Sequence, residues 1–444
     1  MSQNKPYLQA LDYLYSFMDF SLTHQEQIAP ERFELERMVI LLEKLGSPHK
    51  SYETIHIAGT KGKGSVAAHC EAALRKGGYT TGLYTSPHLT DFRERIQLNG
   101  ELIPESEFVR LVEKLKPVVE TIPGLTSYEL QTALAMLFFA EAQVQVAVLE
   151  VGMGGRLDST NVVIPLVSVI SSISYDHTFI LGETLTEIAG EKGGIIKPGI
   201  PVVSAPQDPE ALQVLKKITE DNAAELILVG DDWKFKSVSH DLEGQVFEVQ
   251  HGGKTSQYKT RLLGSHQLEN AVTALVALKT ARLSGLAIED QAIKGGFEQV
   301  SWPGRFEVVA QQPAVVFDGA HNRDSAQRLM ETVTEYFPDS PVSLVFGAME
   351  DKDIPGMFAE LLPGCSHLIL SAANHPRAAK PTALAELAAT YTIPVEIVEN
   401  QEQVIPRTLV LTGKDGVVLF TGSLSVVGDF RSLWYQKLNE DGYN

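Results

Sequence analysis

Cysteine is almost absent from this sequence. Two occur in 444 residues, Cys70 and Cys365, far apart and without metal-ligand spacing. That excludes a disulfide framework and a cysteine-held metal, and leaves two inert thiols in a reducing cytosol. Long apolar runs are missing too. The stretch TALAMLFFA, residues 132–140, is too short to span a bilayer and reads as a buried helix. Positive charge is scarce: 37 Lys and Arg against 56 Asp and Glu give a net charge of −19. The balance argues against a nucleic acid or a membrane surface as partner, so any anionic substrate needs positive charge concentrated locally. The first twenty residues, MSQNKPYLQALDYLYSFMDF, lack an apolar core between a basic region and a cleavage site. A signal peptide is therefore not expected and a cytoplasmic protein is. No fixed-period repeat and no low-complexity segment stand out.

What is present is ordinary globular composition, 44% apolar and 21% charged, in a chain long enough for two unequal domains. Short β-branched runs (TIHIAG, TTGLYT, VQVAVLE, PLVSVIS, IPVVSA) alternate with helical stretches such as 65–76, 106–119 and 128–142. This is the rhythm of a parallel sheet covered by helices. From 234 to 263 the pattern changes to alternating strands, predicting a small antiparallel extension, and a helical pair follows at 267–283 and 289–297. Trp302-Pro303-Gly304 reads as a hinge. Beyond it AVVFDGAHN, VSLVFGAM, HLILSAA, PVEIV and GVVLFTGS predict a second, shorter βαβ series. The expected fold is α/β: a phosphate-loop type, mostly parallel sheet domain with the antiparallel extension over 1–300, a hinge at 301–306, and a smaller Rossmann-like α/β domain over 307–444.

The stretch IHIAGTKGKGSVAAH, residues 55–69, looks like a phosphate-cradling loop, yet it fails the pattern G-x-x-x-x-G-K-[ST]. Ile57 holds the first glycine position, and Gly64 stands where Ser or Thr should follow Lys63. Gly59, Gly62 and Gly64 nonetheless fall in a tight turn between a strand and a helix. Such a turn aims backbone N–H groups and the positive helix end at one spot, which suits a phosphate. Lys63 is placed to reach β- and γ-phosphates and Ser65 to face a magnesium ion. The alternative is a glycine-rich connector without a ligand. VQVAVLE then ends a strand on Glu150, at the strand end where ligands bind, and a carboxylate there suits Mg²⁺.

The motifs HIAGTKGKGSVAA, YTSPHL…ERI, LEVGMGGRLDSTNVV, DHTFILGETLTEIAGEKGGIIKPG and DGAHN, in that order, resemble the folylpolyglutamate synthase/dihydrofolate synthase family of Mur-type, ATP-dependent amide ligases. The likeness runs from the first strand to FTGSLSVVGDFR near the C-terminus. The short loop is that family's own variant of the phosphate loop.

The resemblance implies that ATP activates a carboxylate as an acyl phosphate, which the amine of L-glutamate attacks. It implies a central ATP-binding domain before the hinge and a glutamate-ligase domain after it. ATP would be held by Gly59, Thr60, Lys61, Gly62, Lys63, Gly64 and Ser65, with Asn270, Arg305, Asp318 and His321 from farther along. Ser86, Glu150 and His177 would hold two Mg²⁺ ions, with a monovalent cation also implied. Lys63, Lys192 and His177 would be catalytic, Lys192 as a carbamate. Tyr128, Glu129 and Asp158 would face the folate, and Arg377 the glutamate carboxylates. Each has a plainer reading: a lone histidine is usually structural, Lys192 a solvated helix lysine beside Glu191, Arg305 a hinge salt bridge, Tyr128 a core residue.

Three positions depart from the family's usual residues. Lys61 replaces a common Asn and adds positive charge near the phosphates; Tyr128 replaces Phe and Gly193 replaces Ala. Small-molecule substrates (folate or dihydropteroate, L-glutamate, ATP) and a monomer are expected, with no nucleic acid and no membrane. A cell-wall Mur ligase is the alternative enzyme, opposed by the absence of an evident extra N-terminal domain and by TSPHL. A nucleotide switch without ligase activity is the alternative from another class, and ADP release requiring both folate and glutamate would separate the two.

Overall fold

The computed structural model describes residues 4–18 and 34–440. Of the N-terminal stretch read above, residues 1–3 and 19–20 lie outside the described residues, and Lys5–Tyr15 is a helix.

The larger sheet has eight strands, in spatial order Glu101–Leu102, Ile96–Leu98, Thr81–Tyr84, Val146–Glu150, Glu53–Ala58, Val167–Ile170, Val202–Ser204 and Leu226–Leu228. From Thr81–Tyr84 onward neighbours are parallel; the first two strands run antiparallel at one edge. The central strands read as continuous apolar runs because both faces are covered. Ile55, Ile57, Val146 and Val148 face the helices Lys63–Lys76, Ser265–Leu283 and Asp290–Phe297. Ala147 and Leu149, one residue out of phase, face the helices Lys5–Tyr15, Leu35–Lys44, Glu105–Val119 and Ser127–Glu141. Helix Ser127–Glu141 carries the TALAMLFFA stretch and is buried along most of its length.

The predicted extension is a three-stranded antiparallel sheet, Lys234–Asp241, Gly244–His251 and Lys254–Thr260. Gly252 and Gly253, at φ +56° and +75°, close the second hairpin with the left-handed pair such a turn requires. Its apolar face, Phe247, Val249 and Tyr258, joins the core on the phosphate-loop side.

The second sheet has six strands, in order Glu307–Gln311, Ala314–Phe317, Val417–Thr421, Val342–Phe346, His367–Leu370 and Val395–Ile397, parallel except for the first. Glu307–Gln311 was not singled out as a strand; it is the sheet's edge, and its residues are at most half-buried. Ser301–Phe306 links the two parts without regular secondary structure. Gly304, at φ +71°, donates its N–H to Glu307 (2.9 Å), whose carboxylate also takes both arms of Arg431 at 2.8 Å. The Trp302 indole lies against the phosphate loop: a side-chain carbon on Gly64 would sit 3.0 Å from its ring. Among the described residues no helix is long and apolar enough to cross a membrane.

Candidate active site

Strand Glu53–Ala58 ends at Gly59, φ +141°, where any side chain would collide with Ser171. Thr60 and Lys61 then donate their N–H groups to the Ser172 carbonyl, at 2.8 and 3.1 Å. The Thr60 hydroxyl donates to the Ser174 carbonyl at 3.0 Å. The loop is thus stitched to the end of the neighbouring strand, and Gly62, φ +87°, turns the chain into helix Lys63–Lys76. Asn270 abuts Gly62, so a side chain there would displace it. The first N–H groups of the helix have no partner within the helix and open onto the cleft.

That cleft, of about 210 Å³, is lined from both sheets. Gly59 to Ser65, Ser86, Glu150, His177, Lys192 and Asn270 come from the first part, Arg305 from the link between the parts, and Asp318 and His321 from the second. Every residue singled out for ATP, metal and catalysis therefore lines one cavity. Tyr128, Glu129, Asp158 and Arg377 do not line it.

Glu150 is 5% exposed, and its Oε2 accepts the Ser86 N–H at 3.1 Å. Burial raises its carboxyl pKa, against the pull of Lys63, the Ser86 N–H and Arg305. No side chain forms an ion pair with it among the described residues. His177 opens the short helix Thr178–Leu181 in a left-handed conformation, φ +51°. Burial, against Asp176, brings its imidazole down to about 4, so at pH 7 the ring is neutral, the form that binds a cation. A buried carboxylate oxygen, a hydroxyl and a neutral imidazole fit a hard divalent cation completed by phosphate oxygens and water. Among the described residues no three His, Cys, Asp or Glu converge as a self-sufficient metal cage.

Three lysines enter the cleft differently. Lys63 begins the helix, with Nζ 3.4 Å from the Thr60 carbonyl. Lys61, expected to add charge beside the phosphates, instead pairs with Asp176 at 3.0 Å. Burial would raise the Asp176 pKa, but the Lys61 ammonium beside it outweighs that and holds the carboxylate ionised. Lys192, on helix Leu185–Gly193, is 4% exposed and donates to the Gly59 carbonyl at 3.0 Å. Burial, with Lys63 nearby, lowers its pKa to about 7, so a solvated helix lysine it is not.

On the far wall Asp318 accepts the Phe306 N–H (2.8 Å) on one oxygen and the Ala320 N–H (2.9 Å) on the other. The His321 Nδ1 is 2.9 Å from the Gly319 carbonyl and so carries the proton in the neutral ring. Burial takes that ring down to about 3. Asn322 Nδ2 reaches Asp176 at 3.4 Å, joining the two walls.

The other expected site residues have explicit partners. Glu129 closes a capping box with Thr126 at the start of helix Ser127–Glu141 and takes Arg37 at 3.2 Å, so both its oxygens are engaged. Asp158 accepts the Gly152 and Met153 N–H groups (3.0 and 3.1 Å) and both donors of Thr160. It shapes the glycine-rich loop whose residues 152–154 do line the cleft. Tyr128 lies behind that loop, its hydroxyl against Gly152. Arg377 pairs with Asp351 at 3.3 Å and keeps a buried, unpartnered Nε.

Sequence reasoning gave no role to Asp176 or Arg328. Asp176 was within DHT; its importance comes from Lys61, which lies 115 residues earlier. Arg328 lines the cleft with Ser325, Leu329 and Thr332, one face of helix Arg323–Tyr336. That spacing was visible, but which face looks into a cleft was not.

Two family models match the chain: the Mur ligase middle domain over residues 57–278 and the Mur ligase glutamate ligase domain over 304–424. A dihydrofolate synthase/folylpolyglutamate synthase of Bacillus subtilis is 38% identical over 405 residues, 89% of this chain and 94% of that protein. The folylpolyglutamate synthase of Mycobacterium tuberculosis complexed with ADP superposes with a TM-score of 0.87 at 33% identity, covering 97% of this chain and 98% of that one. E. coli FolC in complex with DHPP and ADP gives 0.86 at 30%, covering 98% of each. By both sequence and fold, the chain belongs to the folylpolyglutamate synthase/dihydrofolate synthase family of Mur-type ligases.

Proposed function

We propose that this protein is an ATP-dependent carboxylate–amine ligase that adds L-glutamate to a folate, and to dihydropteroate, through an acyl phosphate. The observation that carries the reading is the single cleft where a phosphate loop from one sheet meets Asp318 and His321 from the other, with Arg305 from the link between them. Names of relatives and the ADP-bound relatives support it.

The acceptor carboxylate is a poor electrophile, so its oxygen takes the γ-phosphoryl of ATP and ADP leaves. The glutamate amine then attacks the carbonyl carbon, forming the amide and releasing phosphate and a proton. Catalysis of this kind rests on positioning and charge neutralisation. The helix N-terminus, Lys63 and Arg305 supply positive charge to the phosphates. Ser86, Glu150 and His177 would hold Mg²⁺, which neutralises phosphate charge when bound. A Lys192 amine near neutrality in pKa retains the lone pair needed to take up carbon dioxide as a carbamate, with loss of one proton. That anion would offset Lys63 and Lys61. In this reading the guanidinium fork of Arg377 takes a glutamate carboxylate in competition with Asp351.

In this reading residues 1–300 bind ATP, 301–306 are the hinge and 307–444 are the glutamate-ligase domain, working as a monomer in the cytosol. The test is phosphate release with ATP, Mg²⁺ and glutamate, comparing tetrahydrofolate with dihydropteroate. Turnover with both is expected. Turnover with tetrahydrofolate alone narrows the activity to polyglutamylation, and silence with both rejects the proposal.

A further inference from the structure

The three-stranded extension has no part in the chemistry above, yet two of its buried polar side chains are turned toward the cleft's framework. Gln245, on strand Gly244–His251, is 1% exposed. Its amide nitrogen donates to the carbonyls of Leu262 (2.6 Å) and Gly264 (2.9 Å), so both of its hydrogens hold one three-residue loop. Thr260, at the end of the last strand, accepts the Leu262 N–H at 3.2 Å and meets His69 of the phosphate-loop helix at 2.8 Å.

The loop so held, Leu262-Leu263-Gly264, touches both halves of the protein. The Leu262 side chain packs with Ala68 and Ala72 of the phosphate-loop helix, while Leu263 enters the core of the second sheet. Gly264, at φ +101°, has Thr332 Oγ1 2.7 Å from where a side-chain carbon would stand, so only glycine fits. Helix Ser265–Leu283 begins on this glycine with no side-chain cap of its own. The Gly264 carbonyl held by Gln245 also accepts the Gln267 N–H at 2.9 Å, so the extension is tied directly to the first turn of this helix. One turn on, Asn270 donates to Gln267 (3.0 Å) and meets Gly62 of the phosphate loop.

We propose that Gln245 is a positioning residue for the nucleotide: by pinning Leu262–Gly264 it sets where Asn270 stands over the phosphate loop, and makes this loop a second joint between the two sheets. The proposal rests on the reading of the cleft as an ATP site.

Gln245→Met keeps length and apolar bulk but removes both donors. Losing them is expected to weaken ADP binding and raise the ATP KM by roughly five- to tenfold. The kcat at saturating ATP and the KM for glutamate should stay within about twofold, because neither depends on Asn270's placement. Calorimetry with ADP on the wild type is the control: no binding there overturns the ATP reading and this proposal together. Wild-type binding with unchanged nucleotide affinity in folded Gln245→Met overturns the proposal alone, whatever happens to the melting temperature, and leaves the residue a packing element. Should Gln245→Met fail to fold, Thr260→Val, which removes the acceptor of the Leu262 N–H, is expected to weaken ADP about two- to threefold. No change there would equally overturn it.

Discussion

Two carboxylates sit at the ends of parallel strands, one in each half of the molecule, and they are built for different work. Glu150 ends strand Val146–Glu150, and Asp318 follows strand Ala314–Phe317. Burial raises the pKa of both, and Arg305 opposes the shift in both. Asp318 has each oxygen filled by a backbone N–H of the hinge or of the turn after it. Glu150 has one oxygen on the Ser86 N–H, and its other accepts nothing among the described residues. A carboxylate saturated by backbone donors holds the chain in shape. One left half-satisfied in a buried place carries unused capacity, which a cation can take up.

The comparison breaks most sharply with Glu150→Gln. Phosphate release should fall by on the order of 100-fold or more, since an amide cannot neutralise a cation. Stability should not fall with it. A carboxyl whose folded pKa is raised binds its proton more tightly when folded, so ionisation destabilises the fold as pH rises through the unfolded pKa. The substituted amide carries no such charge, so urea midpoints at neutral pH should hold or rise; a protein both inactive and destabilised would contradict the distinction. Asp318→Asn should do the opposite. An amide nitrogen facing a backbone N–H leaves a donor unsatisfied, costing about 1–3 kcal/mol in chemical denaturation. Its kcat should change less than that of Glu150→Gln.

Lys192 sharpens the contrast from the cationic side. Its folded pKa of about 7 lies below the ordinary lysine value of 10.5, so between those values the unfolded chain binds more protons. Stability should therefore rise with pH over that window, by at most about 1.4 kcal/mol per unit for one proton. Lys192→Met should flatten the slope, and an unchanged slope in pH-dependent denaturation would show that the amine is not held neutral. The smallest effect on activity is expected at Lys61→Asn, with ATP KM moving a few-fold. Stability is another matter: Asp176 loses its nearest cation in a largely buried place, at a cost of about 3–5 kcal/mol. Activity lost as completely as in Glu150→Gln would mean that Lys61 touches phosphate rather than Asp176.

Much of this was legible in the chain. Apolar strands ending in chemistry-bearing residues located the phosphate loop and Glu150, because parallel strands buried on both faces write continuous apolar runs and deliver their ends to one edge; Asp318 came only with the family resemblance. The capping box at Thr126 and Glu129 was equally visible as T-S-Y-E, and reading Glu129 as a folate contact passed over that local explanation. What could not be read were pairings made by packing. Lys61 finds Asp176 only when two strand ends become neighbours. Gln245 reaches Gly264 only when a hairpin folds over a helix start. Nothing in the spacing of those residues encodes the meeting.

The sequence contains three tryptophans, and one of them, Trp302, stands in the segment 301–306 that links the two sheets, with its indole against Gly64 of the phosphate loop. Indole emission shifts in colour and intensity with the polarity around the ring. Any swing of the second sheet about Ser301–Phe306, or any reshaping of the loop by a bound phosphate, alters what this ring touches. With Trp233 and Trp434 replaced, the molecule would carry its own optical gauge of such movement, readable by stopped-flow fluorescence without a label, where Trp302 meets the phosphate loop.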